Sequence, residues 1–227
     1  MRRLIVALDT SDLDQARRWA RAVSPYAGLL KVGLEFFLAQ GAAGYRALAD
    51  LPIFLDLKLH DIPNTVRGAV RSLLPLNPTI LTIHASGGRP MIEAAAGAAA
   101  AAGQERPLIL AVTVLTSLED TDLAAIGMDR SPDEQVLRLA RLAVDAGADG
   151  VVCSPREVAL LRRELGPVPK LVVPGIRPEG SNRGDQARTL TPEEAIDAGA
   201  DWIVVGRPIT SSPNPGQAAA AIAASIS

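Results

Sequence analysis

Eight short apolar runs, rich in β-branched residues, alternate with helix-like segments from one end of the chain to the other. Each run is apolar almost without interruption, which is typical of strands buried on both faces of a parallel sheet. The runs occupy residues 4–8, 29–33, 53–57, 79–84, 108–115, 150–154, 171–173 and 202–206. This pattern predicts eight βα units in one parallel sheet.

The segments between the runs carry helix-start and helix-end signals. Several begin with Pro at or just before the first helical position, where the missing N–H costs nothing. Gly147 and Gly199 both lie in an Ala-Gly-Ala-Asp sequence and match glycines that end helices. The predicted helices are residues 11–23, 35–49, 63–74, 89–102, 132–146, 155–165, 192–198 and 215–224.

Eight βα units in 227 residues predict a (β/α)8 barrel, a fold that needs roughly 200 residues or more. No linker or shift in composition divides the chain, so we expect residues 1–227 to form a single domain. A doubly wound open sheet is the alternative. It normally has fewer strands and a Gly-rich first turn, whereas Asp9-Thr10-Ser11 follows the first run here.

Charge and composition restrict the partners. Lys plus Arg is 23, Asp plus Glu is 25, and aromatic residues are 3% of the chain. Nucleic-acid polymers require a basic face and usually aromatic platforms, so a small-molecule ligand is favoured.

The apolar runs are shorter than the roughly 20 residues of a membrane span, and the first run breaks at Asp9 before a signal-peptide core can form. A lone Cys153 supports neither an intrachain disulfide nor a cysteine metal site. We therefore expect a cytoplasmic protein without membrane contact.

Polar residues at the ends of the predicted strands are the candidates for function. In a (β/α)8 barrel the active site is built at the carboxyl ends of the strands. The residues at or just beyond those ends are Asp9, Lys31, Asp56, Lys58, Asp61, His84, Thr116, Ser117, Arg177, Gly206 and Arg207.

The third run contains two charged residues that a buried strand would normally exclude. Asp56 and Lys58 are two residues apart, so strand geometry directs both side chains to the barrel interior. Charges in so apolar a setting must be paired, and an alternation of Lys31, Asp56, Lys58 and Asp61 would achieve this. Flanking carboxylates would keep Lys58 as an ammonium ion, and hence an acid. The alternative is an ion-pair network that only orients the strands.

The segment that follows the seventh run is long, polar and rich in Gly. Residues 174–188 could form a lid that brings Arg177 and Gln186 onto a ligand, or a surface loop. Gly206-Arg207 after the eighth run favours the first reading, because barrels often bind phosphate at the loops after strands seven and eight. Glycine allows close backbone approach to an anion, and arginine offers a bidentate fork.

Residues 54–65, Phe-Leu-Asp-Leu-Lys-Leu-His-Asp-Ile-Pro-Asn-Thr, closely resemble the signature of the orotidine 5'-phosphate decarboxylase family. Further similar segments occur in family order over the whole chain, at residues 8–9, 31–33, 114–117, 174–177, 185–186 and 205–207. The resemblance implies a homodimeric barrel that converts orotidine 5'-phosphate to UMP and CO₂ in de novo pyrimidine synthesis. It also implies that neither a metal nor an organic cofactor takes part.

The resemblance assigns a role to each matching residue. Lys58 would donate the proton to C6 of the pyrimidine, and Lys31, Asp56 and Asp61 would complete the charged array. Asp61 and Thr65 would enter the site of the partner subunit. The remaining assignments are Asp9 and Lys31 to the ribose hydroxyls, Thr116 and Ser117 to the pyrimidine edge, and Arg177, Gln186, Gly206 and Arg207 to the phosphate and the closing loop.

Two other functions remain as alternatives. One is a Mg²⁺-dependent sugar-phosphate decarboxylase or aldolase on the same barrel, whose third strand can also read Asp-x-Lys-x-x-Asp. The other is a catalytically silent protein that binds a phosphorylated ligand. The Ile-Pro-Asn-Thr continuation at residues 62–65 argues against the first, and the intact set of candidate catalytic residues argues against the second.

Overall fold

The architecture was determined from a computed structural model, which describes residues 2–48, 51–118, 120–128, 131–178 and 190–227. Eight strands in these ranges form a closed parallel barrel in which each strand pairs with its neighbours in chain order. The barrel closes where Leu4 to Val6 pair with Ile203 to Val205. The strands are β1 Leu4–Ala7, β2 Leu29–Gly33, β3 Ile53–Leu59, β4 Ile80–His84, β5 Leu108–Val112, β6 Gly150–Val152, β7 Lys170–Val173 and β8 Trp202–Val205. The predicted barrel is confirmed.

Helices surround the barrel and follow the strands. The N-terminal residues of many helices are proline, as the sequence predicts: Pro63, Pro132, Pro192 and Pro215 each occupy a first-turn position. The α-helices are α1 Leu13–Val23, α2 Leu34–Arg46, α3 Pro63–Leu73, α4 Gly88–Ala100, α5 Asp120–Ala125, α6 Pro132–Asp145, α7 Val158–Leu165, α8 Pro192–Asp197, α9 Arg207–Thr210 and α10 Pro215–Ser225.

Apolar side chains fill two layers, one inside the barrel and one between the barrel and the helices. Alternate residues of each strand belong to different layers: Ile5 and Ala7 pack inside, whereas Leu4 and Val6 pack against the helices. The strands are therefore buried on both faces, which explains why they are apolar without alternation. Cys153 follows β6 directly and is buried in the layer between the barrel and the helices.

Some element boundaries differ from those predicted from the sequence. Strand β5 ends at Val112 rather than at residue 115, because its pairing with β6 ends with Val112 opposite Val152. The predicted helix 155–165 is a 3₁₀ turn, Pro155–Glu157, followed by α7. Helix α2 is kinked at Gly41, whose φ of 59° is non-helical. The short helices α5 and α9 were not predicted. Gly147 and Gly199 do end their helices, with φ of 91° and 110°.

Candidate active site

Four charged side chains form an alternating chain at the carboxyl end of the barrel. Lys58 Nζ donates to Asp56 Oδ2 at 2.8 Å, and Lys31 Nζ lies 3.6 Å from the same oxygen. Lys31 Nζ also donates to Asp9 Oδ1 at 2.9 Å. Asp9 lies just beyond β1, Lys31 lies on β2, and Asp56 and Lys58 both lie on β3. Two of the three lysines in the chain lie in this cluster.

Burial and opposite charges fix the ionisation of the middle of this cluster. Burial by itself would raise the pKa of Asp56, but the ammonium groups of Lys31 and Lys58 and hydrogen bonds from Lys58 and Thr82 lower it below the ordinary value. Burial by itself would lower the pKa of Lys31, but the carboxylates of Asp56 and Asp9 raise it. Both groups are therefore charged at neutral pH.

Strand β3 departs from regular geometry at the cluster. Lys58 has a φ of 50°, in the left-handed region that few residues other than Gly adopt. The pairing of β3 with β4 shifts register at the same place, between Leu55 and Leu59. Strand parity correctly predicts that Asp56 and Lys58 meet, but the bulge, and not a flat strand, sets the direction of the lysine.

The backbone leaves room for the cluster at Gly33. A Cβ atom at this position would lie 3.1 Å from Lys31 Nζ and 3.2 Å from Asp9 Oδ1. These distances are tighter than ordinary carbon contacts, so a larger residue would push the ion pair apart. The glycine in Lys31-Val-Gly33 thus gives the Lys31–Asp9 pair its space.

An open cavity of about 240 Å³ lies above the cluster. Apolar side chains from inside the barrel, Ala7, Phe54, Val152 and Val204, form part of its lining. Eight predicted site residues line it as well: Asp9, Lys31, Asp56, Lys58, Thr116, Arg177, Gly206 and Arg207. One wall therefore carries the lysine–carboxylate cluster, and the loops after β7 and β8 contribute two arginines.

Four predicted site residues are not brought to this cavity by one chain. Asp61, Thr65 and Ser117 are exposed and do not belong to the described lining. The Asp61 carboxylate instead accepts the backbone N–H of Ile62 at 2.6 Å. Gln186 lies outside the described residues, as does most of the predicted lid.

Sequence reasoning missed two contacts of the cluster. The resemblance assigns both Asp9 and Lys31 to the ribose hydroxyls but does not predict that the two form an ion pair, which they do because β1 and β2 are neighbours in the barrel. Thr82 was not considered, although its hydroxyl donates to Asp56 Oδ1 at 2.9 Å. The signal that could have found it is a polar side chain at an inward position of the apolar strand β4.

The two histidines near the mouth lie beside the cluster. The rings of His60 and His84 are 5.3 Å apart. Burial lowers the pKa of His84, and the neighbouring His60 and Lys58 lower it further, against the opposing effect of Asp56. The neutral form of His84 is therefore favoured.

Larger grooves exist elsewhere on the surface. One of 480 Å³ lies between α1 and the C-terminal end of α2, and one of 560 Å³ lies between the N-terminal residues and α10. Neither is at the carboxyl end of the strands. Within the described ranges, no three His, Cys, Asp or Glu side chains gather closely enough to hold a metal ion. None of the described helices combines the length and apolar character that a membrane crossing requires.

The fold and the site together define a class of protein. An ion-paired lysine and two arginines surround a cavity at the carboxyl end of a (β/α)8 barrel, which is typical of an enzyme that acts on a small anionic ligand. Comparison with known proteins narrows this class. The sequence model of the orotidine 5'-phosphate decarboxylase / HUMPS family matches residues 2–222. The chain belongs to this family, as its sequence resemblance predicts.

Two curated relatives are similar over nearly their full length. Orotidine 5'-phosphate decarboxylase of Anaeromyxobacter sp. (strain K) is 55% identical over 99% of this chain and 98% of its own. The enzyme of the same name from Thermobifida fusca is 52% identical over 98% of this chain and 95% of its own. A crystal structure of orotidine 5'-phosphate decarboxylase from Lactobacillus acidophilus superposes with a TM-score of 0.89 at 39% identity, covering 100% of this chain and 99% of that one.

Proposed function

We propose that this protein is a carboxy-lyase that converts orotidine 5'-phosphate to UMP and CO₂ in pyrimidine biosynthesis. Relatives of that name share about half of their residues with this chain over nearly its full length. The observation that carries the proposal is the contact between Lys58 Nζ and the buried Asp56 carboxylate, 2.8 Å, at the base of a cavity rimmed by Arg177 and Arg207. This arrangement holds a proton donor next to a fixed negative charge.

The reaction needs such a donor. When the bond between C6 and the carboxylate breaks, the electron pair remains in an sp² orbital on C6 that the ring does not delocalise. An ammonium group near C6 stabilises this pair and then transfers its proton to the carbon, leaving Lys58 as an amine that regains a proton from solvent. A charge pair at about 4 Å contributes about 4 kcal/mol at an effective dielectric constant near 20.

A single lysine therefore supplies only part of the roughly 8–23 kcal/mol by which enzymes lower barriers. Positioning and phosphate binding supply the rest in this proposal. Arg177, Gly206 and Arg207, which line the cavity together, are the proposed phosphate contacts, with Gln186. Asp9 and Lys31 hold the ribose hydroxyls, and Thr116 and Ser117 hold the pyrimidine edge.

We also propose a homodimer with shared active sites. Asp61 and Thr65 are exposed in one chain, as expected if they complete the site of a partner. Ile62, between them, is 67% exposed, and Leu34 and Leu38 in the first turns of α2 are 47% and 79% exposed. Apolar side chains exposed at the cavity end of the barrel are typical of a protein–protein interface. Because the substrate is a charged metabolite made inside cells, we place the enzyme in the cytoplasm.

The test is the change in ultraviolet absorbance when orotidine 5'-phosphate is added to the purified protein. We expect turnover, and a loss of about 10³-fold or more in kcat for Lys58→Ala, since general acids contribute about 10²–10⁴-fold. Lys170→Ala is the matched control, because this lysine pairs with Asp201 at the opposite end of the barrel. Binding without turnover would favour the silent binder, and unchanged activity of Lys58→Ala would refute the role of Lys58.

The Mg²⁺-dependent alternative has its own discriminating condition. Both oxygens of Asp56 are already engaged, Oδ1 by Thr82 and Oδ2 by the two lysines, so a metal ion would compete with two ammonium groups. We expect full activity in excess EDTA. Loss of activity in EDTA that added Mg²⁺ restores would support the alternative instead.

A further inference from the structure

The irregular pairing of β3 with β4 leaves one backbone group in need of a partner. Leu55 pairs with Leu81 and Leu59 pairs with Ile83, so a step of four residues along β3 corresponds to a step of only two along β4. Lys58 lies in this bulge with its φ of 50°. A non-glycine residue in the left-handed region costs about 1–3 kcal/mol, and it persists only where neighbouring groups hold it.

The hydroxyl of Thr82 holds the Lys58 backbone in this conformation. The backbone N–H of Lys58 donates to Thr82 Oγ1 at 2.9 Å, in place of a regular ladder bond. Thr82 is completely buried and lies on β4 opposite the bulge. It is two residues from Ile80, whose side chain packs inside the barrel, so the Thr82 side chain faces the barrel interior as well. The bulge and this threonine therefore belong together.

The same hydroxyl also fixes Asp56. Thr82 Oγ1 donates to Asp56 Oδ1 at 2.9 Å, while Asp56 Oδ2 accepts from Lys58 Nζ. The direction of both bonds is determined, because an N–H only donates and a carboxylate only accepts, so the single hydroxyl proton must go to Asp56. One hydroxyl thus joins the backbone of Lys58 to the carboxylate that its own side chain contacts.

We propose that Thr82 is a positioning residue for decarboxylation: its hydroxyl locks the Lys58 backbone and the Asp56 carboxylate together, so that the ammonium group points into the cavity. This proposal rests on the proposed function for its effect on rate. Thr82 itself does not touch the substrate, because it is completely buried and does not belong to the described lining of the cavity.

Three variants test it. Thr82→Val keeps the shape and removes the hydroxyl, and Thr82→Ser restores the hydroxyl. Thr113→Val is the matched control, because Thr113 is a buried threonine directly after β5 whose hydroxyl donates to the Val152 carbonyl and takes no part in the described contacts of Lys58 and Asp56. All three are compared by melting temperature, by kcat and KM for orotidine 5'-phosphate, and by crystal structure.

We expect Thr82→Val to lose about 10- to 100-fold in kcat with KM changed by less than about 3-fold, as a small misplacement of a reacting group would cause. Thr82→Ser should return kcat to within about 3-fold of wild type, and Thr113→Val should leave it unchanged. In crystals of Thr82→Val, the Lys58 backbone should leave the left-handed region or Lys58 Nζ should move away from Asp56.

Equal losses in Thr82→Val and Thr113→Val, or wild-type kcat in Thr82→Val, would overturn the proposal. So would an unchanged geometry of Lys58 and Asp56 in the variant crystal. If Thr82→Val does not fold, Thr82→Ala removes the hydroxyl without a new branch and is judged by the same criteria. If the wild-type protein does not turn over orotidine 5'-phosphate but the variant geometry collapses, the proposed function fails while the positioning role stands.

Discussion

At the scale of single residues, Asp56 is the centre of the site because it neutralises two lysines that are themselves poorly solvated. It is 7% exposed and Lys31 is 9% exposed. Buried ion pairs rarely add net stability, since the cost of removing both charges from water offsets their attraction. Removing one partner, however, leaves the other charge buried and unpaired. The cluster is therefore explained by the charge that it presents to the cavity rather than by the stability of the barrel.

His84 predicts a pH dependence of stability. Because its pKa in the folded protein lies below the ordinary 6.5, the unfolded chain binds a proton more readily, and stability is lost as the pH falls below about 6.5. We expect the decrease in melting temperature between about pH 7.5 and 5.5 to be smaller in His84→Gln than in wild type.

His60→Gln is the informative comparison for this prediction. His60 is exposed, and its charge is one of the causes that lower the pKa of His84, so removing it should flatten the same pH dependence only in part. If the melting temperature falls equally with pH in the wild-type protein, His84→Gln and His60→Gln, then protonation of His84 does not cause the loss of stability.

At the scale of elements, two repeated aspartates join neighbouring strands at the end of the barrel opposite the site. Asp149 accepts the N–H of Ile109 at 2.8 Å, and its own N–H donates to the Ile109 carbonyl. Asp201 does the same with Leu171. Each also binds an arginine, Arg106 or Arg162. The Ala-Gly-Ala-Asp repeat thus ends a helix and starts a strand pair.

We predict that Asp149→Ala lowers the free energy of unfolding by about 1–3 kcal/mol without changing kcat. The substitution leaves the N–H of Ile109 without its partner and removes the carboxylate that Arg106 contacts at 2.6 Å. Chemical denaturation measures the change. Asp145→Ala, an exposed position at the end of α6, should stay within about 0.5 kcal/mol of wild type. A comparable loss in both variants would contradict a specific role for Asp149.

At the scale of the whole molecule, one chain supplies most of the candidate site but leaves Asp61 and Thr65 on its exterior. Asp61 lies two residues beyond the end of β3, yet it belongs to none of the ion pairs found among the described residues. The proposed dimer explains this separation, because a two-fold axis would place each chain's Asp61 at the other chain's cavity.

Mixing two inactive proteins tests the shared site. Lys58→Ala and Asp61→Ala, mixed in equal amounts and allowed to exchange subunits, should recover about a quarter of wild-type activity, because half of the dimers are hybrids and each has one intact site. A mixture of Lys58→Ala with Lys31→Ala is the control, since both residues act in their own chain and no site is restored. Absence of recovery despite demonstrated subunit exchange would refute the shared site.

Much of this molecule follows from its sequence. Strands buried on both faces must be apolar, so eight runs such as Leu4–Ala7 and Ile80–His84 indicate the barrel, and exceptions such as Asp56 and Lys58 stand out as candidate site residues. The ends of elements were predicted less well. The strand predicted at residues 108–115 is longer than β5, and α9 is not predicted at all. Only the closed barrel determines where the chain leaves the sheet.

The order of strands and helices and the kinds of side chain at the strand ends follow from the sequence, because both depend on local pattern and on the rule that unpaired charge stays out of a core. Which of these groups form ion pairs and hydrogen bonds with each other follows only from the three-dimensional fold. The ion pair of Asp9 with Lys31, the bulge at Lys58 and the two hydrogen bonds of Thr82 depend on the register of strands distant in sequence, and no local pattern encodes that register.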